Sequence, residues 1–275
     1  MPYGVLMLSA ESRAIKPVTL EPDPDNAGVG ILTVVRTLNT NGKIPLGVFF
    51  FLKGVFSVKK SVLARTEKTK RLALSGILIA MATVLSFIKV FEWPFGGSIT
   101  AASMLPLAML GYTYGAKWGL AVGLVHGVIQ AVTGATMSSA FAGQTPVAVA
   151  AICVIDYFIA YSVVGLSGMF KGKSKNHSAA FALGTAVAVF LRYVCHVASG
   201  YIFFKSYADW FFGEVMANDF SAMLMEKCSP NLLGLLYSVI YNAAYMVPEL
   251  VITTVCAVLL ISLVPSVRSE MVKTR

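Results

Sequence analysis

From Leu72 onward the chain alternates long apolar runs with short polar joints. Six spans follow one another, near residues 72–91, 99–115, 118–134, 146–170, 178–204 and 232–264. A helix crossing a bilayer upright needs about 20 residues. The third span is short on that measure and is expected to be partly re-entrant or shielded by its neighbours. Gly and Pro punctuate the joints: Pro94 with Gly96 and Gly97, Gly115, Gly134, Pro146 and Pro265. Residues before this series read differently. They contain Pro, Asp and Asn, show weak periodicity, and end in a basic cluster of Lys59, Lys60, Arg65, Lys68, Lys70 and Arg71. The run from Ile44 to Val58 is mostly apolar, but Pro45 and Lys53 interrupt it and it is too short to span comfortably. The pattern divides the chain into 1–68, a disordered or wrongly assigned N-terminal extension, 69–268, a six-helix membrane domain, and 269–275, a cytoplasmic tail.

Composition turns the apolar pattern into a statement about solvent. Hydrophobic residues make up 57% of 275 positions, charged residues 13%, and mean hydropathy is +0.75. Soluble domains carry roughly 25% charged residues, so this chain is built for lipid. The net charge of +9 invites a nucleic-acid partner, and its distribution argues against one. Eleven of the 22 Lys and Arg precede Leu72, and most of the rest lie in short loops. No basic surface of the kind that grips phosphates is evident. Lys117, the trio Lys171, Lys173 and Lys175, and the C-terminal Arg268, Lys273 and Arg275 occupy alternate connections, whereas 92–98 and 135–145 contain no Lys or Arg. By the positive-inside rule both termini are cytoplasmic and the helices cross six times. Lys89, Lys205 and Lys227 violate the pattern as a minority. The segment 205–231 then lies outside, where it could form a lid. Cys153, Cys195, Cys228 and Cys256 lack the paired spacing of a zinc or redox motif and read as small core residues.

Five residues stand out within the spans: Asp156, Arg192, His196, Asn242 and Glu249. An ionisable group in lipid costs at least ~2.5 kcal/mol, so such groups face a bundle interior and mark a functional path. Counted inward from the outer ends, Asp156 lies roughly 14 Å down the fourth span and His196 roughly 12 Å down the fifth. Tyr237 to Asn242 lie roughly 8–15 Å down the sixth. Three helices thus deliver polar groups to one level, which predicts a pocket open to the outside. His196, Gly200 and Phe204 share a face of the fifth span, Tyr157 follows Asp156, and Trp93 stands at the outer mouth. A carboxylate beside aromatic rings suits a flat, cationic, nitrogen-containing ligand. The competing account has Asp156 bonded to a neighbouring helix and pairing Arg192, and residue types alone leave the two level. Tyr237 and Asn242 are about 140° apart around a helix and need not touch the same atom. His126 reads as an interhelical partner. Glu249, beside Pro248, reads as satisfying backbone freed by the kink, at a level deeper than the pocket. Gly76 and Ala80 form a small-xxx-small pair on the first span, a face that lets another helix approach closely.

Taken in order, these segments resemble the thiamine-specific S-components of energy-coupling-factor (ECF) vitamin transporters. The resemblance covers roughly residues 70–264. It rests on Gly-Gly-Ser-Ile-Thr (96–100) leading to Ser-Met-Leu-Pro (103–106), Asp156-Tyr157, Leu-Arg-Tyr-Val-Cys-His-Val-Ala-Ser-Gly (191–200) and Tyr-Ser-Val-Ile-Tyr-Asn (237–242). It implies an all-α, six-helix bundle in a prokaryotic plasma membrane that binds thiamine from outside and is not an enzyme. A membrane coupling subunit and two ATPase subunits would supply the energy, so ATP is used by partners and no cofactor is expected in this chain. The implied substrate-binding residues are Asp156, Tyr157, His196, Phe204, Tyr237, Asn242 and Trp93, and the implied partner interface is Gly76 with Ala80. Asp156 stands where some members have Glu, and Phe204 where some have Trp. The first shortens the carboxylate arm by one methylene and the second weakens stacking.

A second hint comes from Thr19 to Ile31, which can be back-translated into a string resembling the 3′ part of a thiamine-pyrophosphate riboswitch. On that reading residues up to about 55–65 are translated leader. Competing functions are an S-component for riboflavin or hydroxymethylpyrimidine, a stand-alone secondary transporter, and an intramembrane enzyme. A secondary transporter usually shows repeated halves, and no repeat is evident. A membrane protease needs paired acids or a His–Glu metal set, and Asp156 has no such companion. No Gly-x-x-x-x-Gly-Lys-Ser/Thr loop is present to hold a nucleotide.

Overall fold

In the computed structural model the described residues are 46–93, 97–137, 141 and 143–273. The expectations for residues 1–45, the riboswitch-like stretch among them, lie outside this range. The chain divides into two units between Glu67 and Lys68. In the first, residues from Leu46 onward are helical. The second carries the membrane domain.

Helix α1 runs Leu46–Phe87 and gives way to a two-stranded antiparallel ribbon, β1 (Lys89–Glu92) and β2 (Ser98–Thr100). The first apolar span therefore ends before residue 91. Four apolar or mixed residues can serve either periodicity, and here they pair antiparallel with Ser98–Thr100. α2 (Leu105–Tyr114) follows, then α3 (Ala116–Met137). α4 covers Pro146–Phe170 in three forms: α-helical at first, π-helical over Cys153–Ile159, and 3-10 over Gly165–Phe170. α5 (His177–Phe204) continues through short helical turns to Val215, α6 is Asp219–Lys227, α7 is Pro230–Leu263, and α8 is Pro265–Lys273.

Among the described residues five helices are long and apolar enough to cross a membrane: Thr66–Phe87, Ala116–Thr136, Pro146–Phe170, His177–Val215 and Pro230–Leu263. The expected second span is the exception. Its helix, α2, has 10 residues and reaches about 15 Å, and Leu107, Leu110 and Tyr112 within it are fully buried. Its apolarity serves protein packing rather than lipid contact. The third span departs in the other direction: α3 has 22 residues and reaches about 33 Å, enough to cross without being re-entrant.

The bundle is held by close backbone approach. Gly119, Gly123 and Gly127 repeat every fourth residue on one face of α3. A Cβ at any of them would overlap main-chain atoms of Gly165, Tyr161 or Tyr157 on α4. In lipid, where no hydrophobic force drives helices together, such small-residue stripes provide the contact area. Large aliphatic side chains such as Ile77, Val132, Val147 and Leu263 point outward instead, as lipid-facing surface requires. At one end α8 is tied in by Lys171, whose Nζ donates to the carbonyls of Thr113 and Met271 at 3.0 and 2.7 Å. Lys70 pairs Glu270 at 2.7 Å.

Candidate functional site

A cavity of about 510 Å³ lies between the β ribbon, the end of α1 and helices α3, α4, α5 and α7, within the size range of small-molecule sites. Its chemistry centres on Asp156. This residue sits on the π-helical stretch of α4, where one extra residue per turn displaces side chains from the α-helical register. Such bulges recur at functional sites. Asp156 Oδ2 accepts from the Ser199 hydroxyl at 2.5 Å, and Oδ1 lies 2.8 Å from His196 Nδ1. Arg192 Nε donates to His196 Nε2 at 3.2 Å, so Nε2 carries no proton and Nδ1–H donates to the carboxylate. The guanidinium of Arg192 lies 4.1 Å over the Tyr161 ring and its Nη1 meets the Met104 sulfur. Asp156 is bonded to the neighbouring helix α5, as the competing account had it, but in place of a direct pairing with Arg192 the imidazole stands between the two charges.

The sixth expected span contributes α7. Asn242 Nδ2 donates to the carbonyls of His196 and Ser238 at 3.3 and 2.8 Å, and its Oδ1 accepts from Tyr245 Oη at 2.6 Å. It therefore ties α7 to α5 while facing the cavity. Close approach here depends on Gly200, where a Cβ would strike the Ser238 hydroxyl and come within 3.0 Å of Asn242 Nδ2. Tyr237, Tyr241 and Tyr245, spaced four apart, form an aromatic stripe along the same wall. The ribbon closes over it: Gly97 has φ +83°, and a Cβ there would lie 2.6 Å from the Tyr245 ring.

Asp156, Tyr157, His196, Phe204, Tyr237 and Asn242 all line this one cavity, and Asp156 and Asn242 are each hydrogen-bonded to His196. Trp93 is one ring removed. It packs edge-on against Tyr241 at 5.8 Å and Phe91 at 5.4 Å. His126 is interhelical, 3.4 Å from Thr83 Oγ1 on α1, with its ring 5.0 Å from that of Tyr161. Glu249 requires correction. It is not below the pocket but lines it, and its Oε1 accepts from the Thr100 hydroxyl. The cavity extends further down α7 than a shallow outward pocket would. Gly76 and Ala80 lie on the outer surface of α1, and a Cβ on Gly76 would meet nothing within 4 Å.

Sequence reasoning missed Tyr161, Tyr241, Tyr245, Ser199, Thr100 and Gln130 as cavity or network residues. Tyr241 and Tyr245 carried a usable signal, a four-residue repeat in register with Tyr237, and Tyr161 likewise follows Tyr157 by four residues. The hydroxyl and amide residues carried none. With its aromatic walls and the half-buried Asp156 carboxylate, the cavity can balance the charge of a flat cation while stacking against it. No cluster of His, Cys, Asp or Glu suited to a metal occurs among the described residues.

Comparison with known proteins places the chain among transporters. The family model described as "Thiamine transporter protein (Thia_YuaJ)" matches residues 72–213. The thiamine transporter ThiT of Bacillus subtilis (strain 168) is 30% identical over 212 residues, covering 73% of this chain and 95% of the relative. Among solved structures, ThiT from Listeria monocytogenes shares the fold with a TM-score of 0.52 at 20% identity, covering 73% of this chain and 98% of that one. With its apolar helices, this is a multi-pass membrane protein of a prokaryote, and the chain belongs to the thiamine transporter family.

Proposed function

We propose that the cavity binds thiamine from the outer side of the membrane and that separate subunits energise its release inward. Membership in the thiamine transporter family supports thiamine uptake as the task, a non-enzymatic one. The observation that carries the assignment to this cavity is Asp156, a carboxylate held by His196 and Ser199 inside an aromatic enclosure. A thiazolium cation carries its charge permanently, so it needs a counter-ion rather than a proton acceptor. Asp156 supplies the charge, and Tyr157, Phe204 and Tyr237 supply faces on which the rings can lie. His196 and Arg192 keep the carboxylate oriented, and Trp93 completes the aromatic mouth through Tyr241.

Energy has to come from elsewhere, since this chain has no nucleotide loop. The outward-facing Gly76 and Ala80 offer a flat strip on α1 for a helix of an ECF coupling subunit, which would join two ATPase subunits. Phe211, in the segment expected outside, packs 5.4 Å from Tyr237 and 5.9 Å from Tyr241, which supports a lid role for 205–231.

The test is titration of the detergent-purified chain with thiamine, followed by tryptophan fluorescence, beside Asp156→Asn. Saturable quenching that weakens at least about a hundredfold in the variant is expected, since losing a desolvated charge partner costs about 3 kcal/mol or more. A response to riboflavin or hydroxymethylpyrimidine but not to thiamine would refute the substrate. Equal affinity of both proteins for thiamine would return Asp156 to a structural role.

A further inference from the structure

The cavity contains a second carboxylate that the thiamine assignment does not use. Glu249 is 2% exposed and lines the cavity wall. Its Oε1 accepts from the Thr100 hydroxyl, but Oε2 is buried and has no hydrogen-bonding partner among the described residues. A carboxylate oxygen left in that condition costs several kcal/mol in a protein interior, which is why buried polar atoms are almost always paired. Pro248 inside α7 does not explain it, because the carboxylate turns to the ribbon at Thr100 instead of to its own helix.

Position gives the orphan oxygen a meaning. Asn242 and Glu249 are seven residues apart on α7, which places them within about 20° of one face and about 10 Å apart along the axis. Asn242 is bonded to the main chain of His196, the partner of Asp156. Asp156 and Glu249 therefore mark two levels of one cavity, with Tyr245 and Met246 between them. A ligand whose charge sits against Asp156 and whose length reaches two helical turns would bring its far end to Glu249.

We propose that Glu249 is a specificity-determining residue of the site, its Oε2 accepting a hydrogen bond from an N–H or O–H donor at the end of the ligand remote from Asp156. The inference rests on the thiamine reading, and thiamine carries one such donor at each end: an exocyclic amine on the pyrimidine and a hydroxyl on the thiazolium side chain. Either end satisfies the geometry. The shared requirement is a donor, and an apolar end group leaves Oε2 unpaired.

The experiment compares thiamine with two analogues, one lacking the side-chain hydroxyl and one lacking the exocyclic amine, on the full chain and on Glu249→Met and Glu249→Gln. Thr100 keeps the Ser103 hydroxyl as a partner at 2.7 Å in both variants. Glu249→Met is expected to weaken thiamine about tenfold to a hundredfold, as loss of a bond to a charged acceptor does. Glu249→Gln, which retains an acceptor oxygen, is expected to recover part of that loss. One analogue is expected to bind the unaltered chain more weakly than thiamine by a similar factor, and the Met variant to lose that distinction. The hydroxyl analogue in that role would put the thiazolium side chain at Glu249, and the amine analogue would put the pyrimidine there. Thiamine affinity unchanged in Glu249→Met, while Asp156→Asn loses it, would overturn this inference alone. Absence of thiamine binding by the unaltered chain would overturn the parent reading with it. Should the Met variant aggregate, full affinity of both analogues for the unaltered chain would be enough to reject the proposal.

Discussion

Gly200 shows how much of the site rests on a missing side chain. The α5–α7 contact brings Ser238 and Asn242 against its Cα, and a methyl group there would overlap the Ser238 hydroxyl. Gly200→Ala is therefore expected to push the helices apart and lower stability by about 1–3 kcal/mol, the usual cost of overpacking. Thiamine affinity should fall with it, because Asn242 and His196 are joined across that contact. A thermal-shift assay with and without thiamine checks this, and an unchanged midpoint in both conditions would contradict it. Individual residues were unevenly legible. Asp156 and His196 stood out as ionisable groups in lipid-spanning runs, where a charge has few reasons to be, but residue types alone left a binding and a structural role for Asp156 level. Glu249 met the same criterion and was misplaced, because counting along a helix gives depth but not how far a cavity reaches toward it. The relay through His196 to Arg192 depends on side-chain direction, which no spacing rule encodes.

Secondary structure was read well where a helix is long and poorly where it is interrupted. Apolar length located α3, α4, α5 and α7, but it could not show that α2 is a buried half-length helix or that Lys89–Glu92 turns into a strand. Nor could it show the π-helical stretch at Cys153–Ile159, along which Tyr157 meets Gly127 of α3 while Asp156 is presented to α5. The connection from α5 to α7 is the element with most bearing on kinetics. Its Phe211 is 4% exposed and joins the tyrosine cluster of α7. Phe211→Ala removes a ring whose burial contributes about 3 kcal/mol, from a segment in which Phe211 and Phe212 are the buried aromatic rings. Bound thiamine is expected to dissociate several-fold faster with a smaller change in association rate. Stopped-flow fluorescence measures this, and identical dissociation rates would show that the segment does not cover the site.

For the molecule as a whole, the outer surface carries the remaining prediction. Gly76 and Ala80 take no part in internal packing as far as the described residues show, so replacing both with Leu should leave folding and thiamine affinity within error. Uptake of labelled thiamine by cells carrying the energising subunits should fall at least about tenfold, since two added side chains prevent the helix contact that small residues allow. Uptake at the normal level would remove α1 from the partner interface. Apolar runs, few charges and cationic loops were enough to determine a helical membrane protein from the order of residues alone, because lipid forces every backbone group to be satisfied internally and continuous apolar runs of about 20 residues do so as helices. The order of short motifs was enough to indicate the family. What required the folded chain was everything set by contact between helices: the ribbon over Tyr245, the bulge that turns Asp156 inward, the tyrosine wall, and the reach of the cavity to Glu249. Hydropathy is a property of each segment against lipid, whereas a binding cavity is a property of several segments against one another. Its shape is fixed only when small residues let those segments meet.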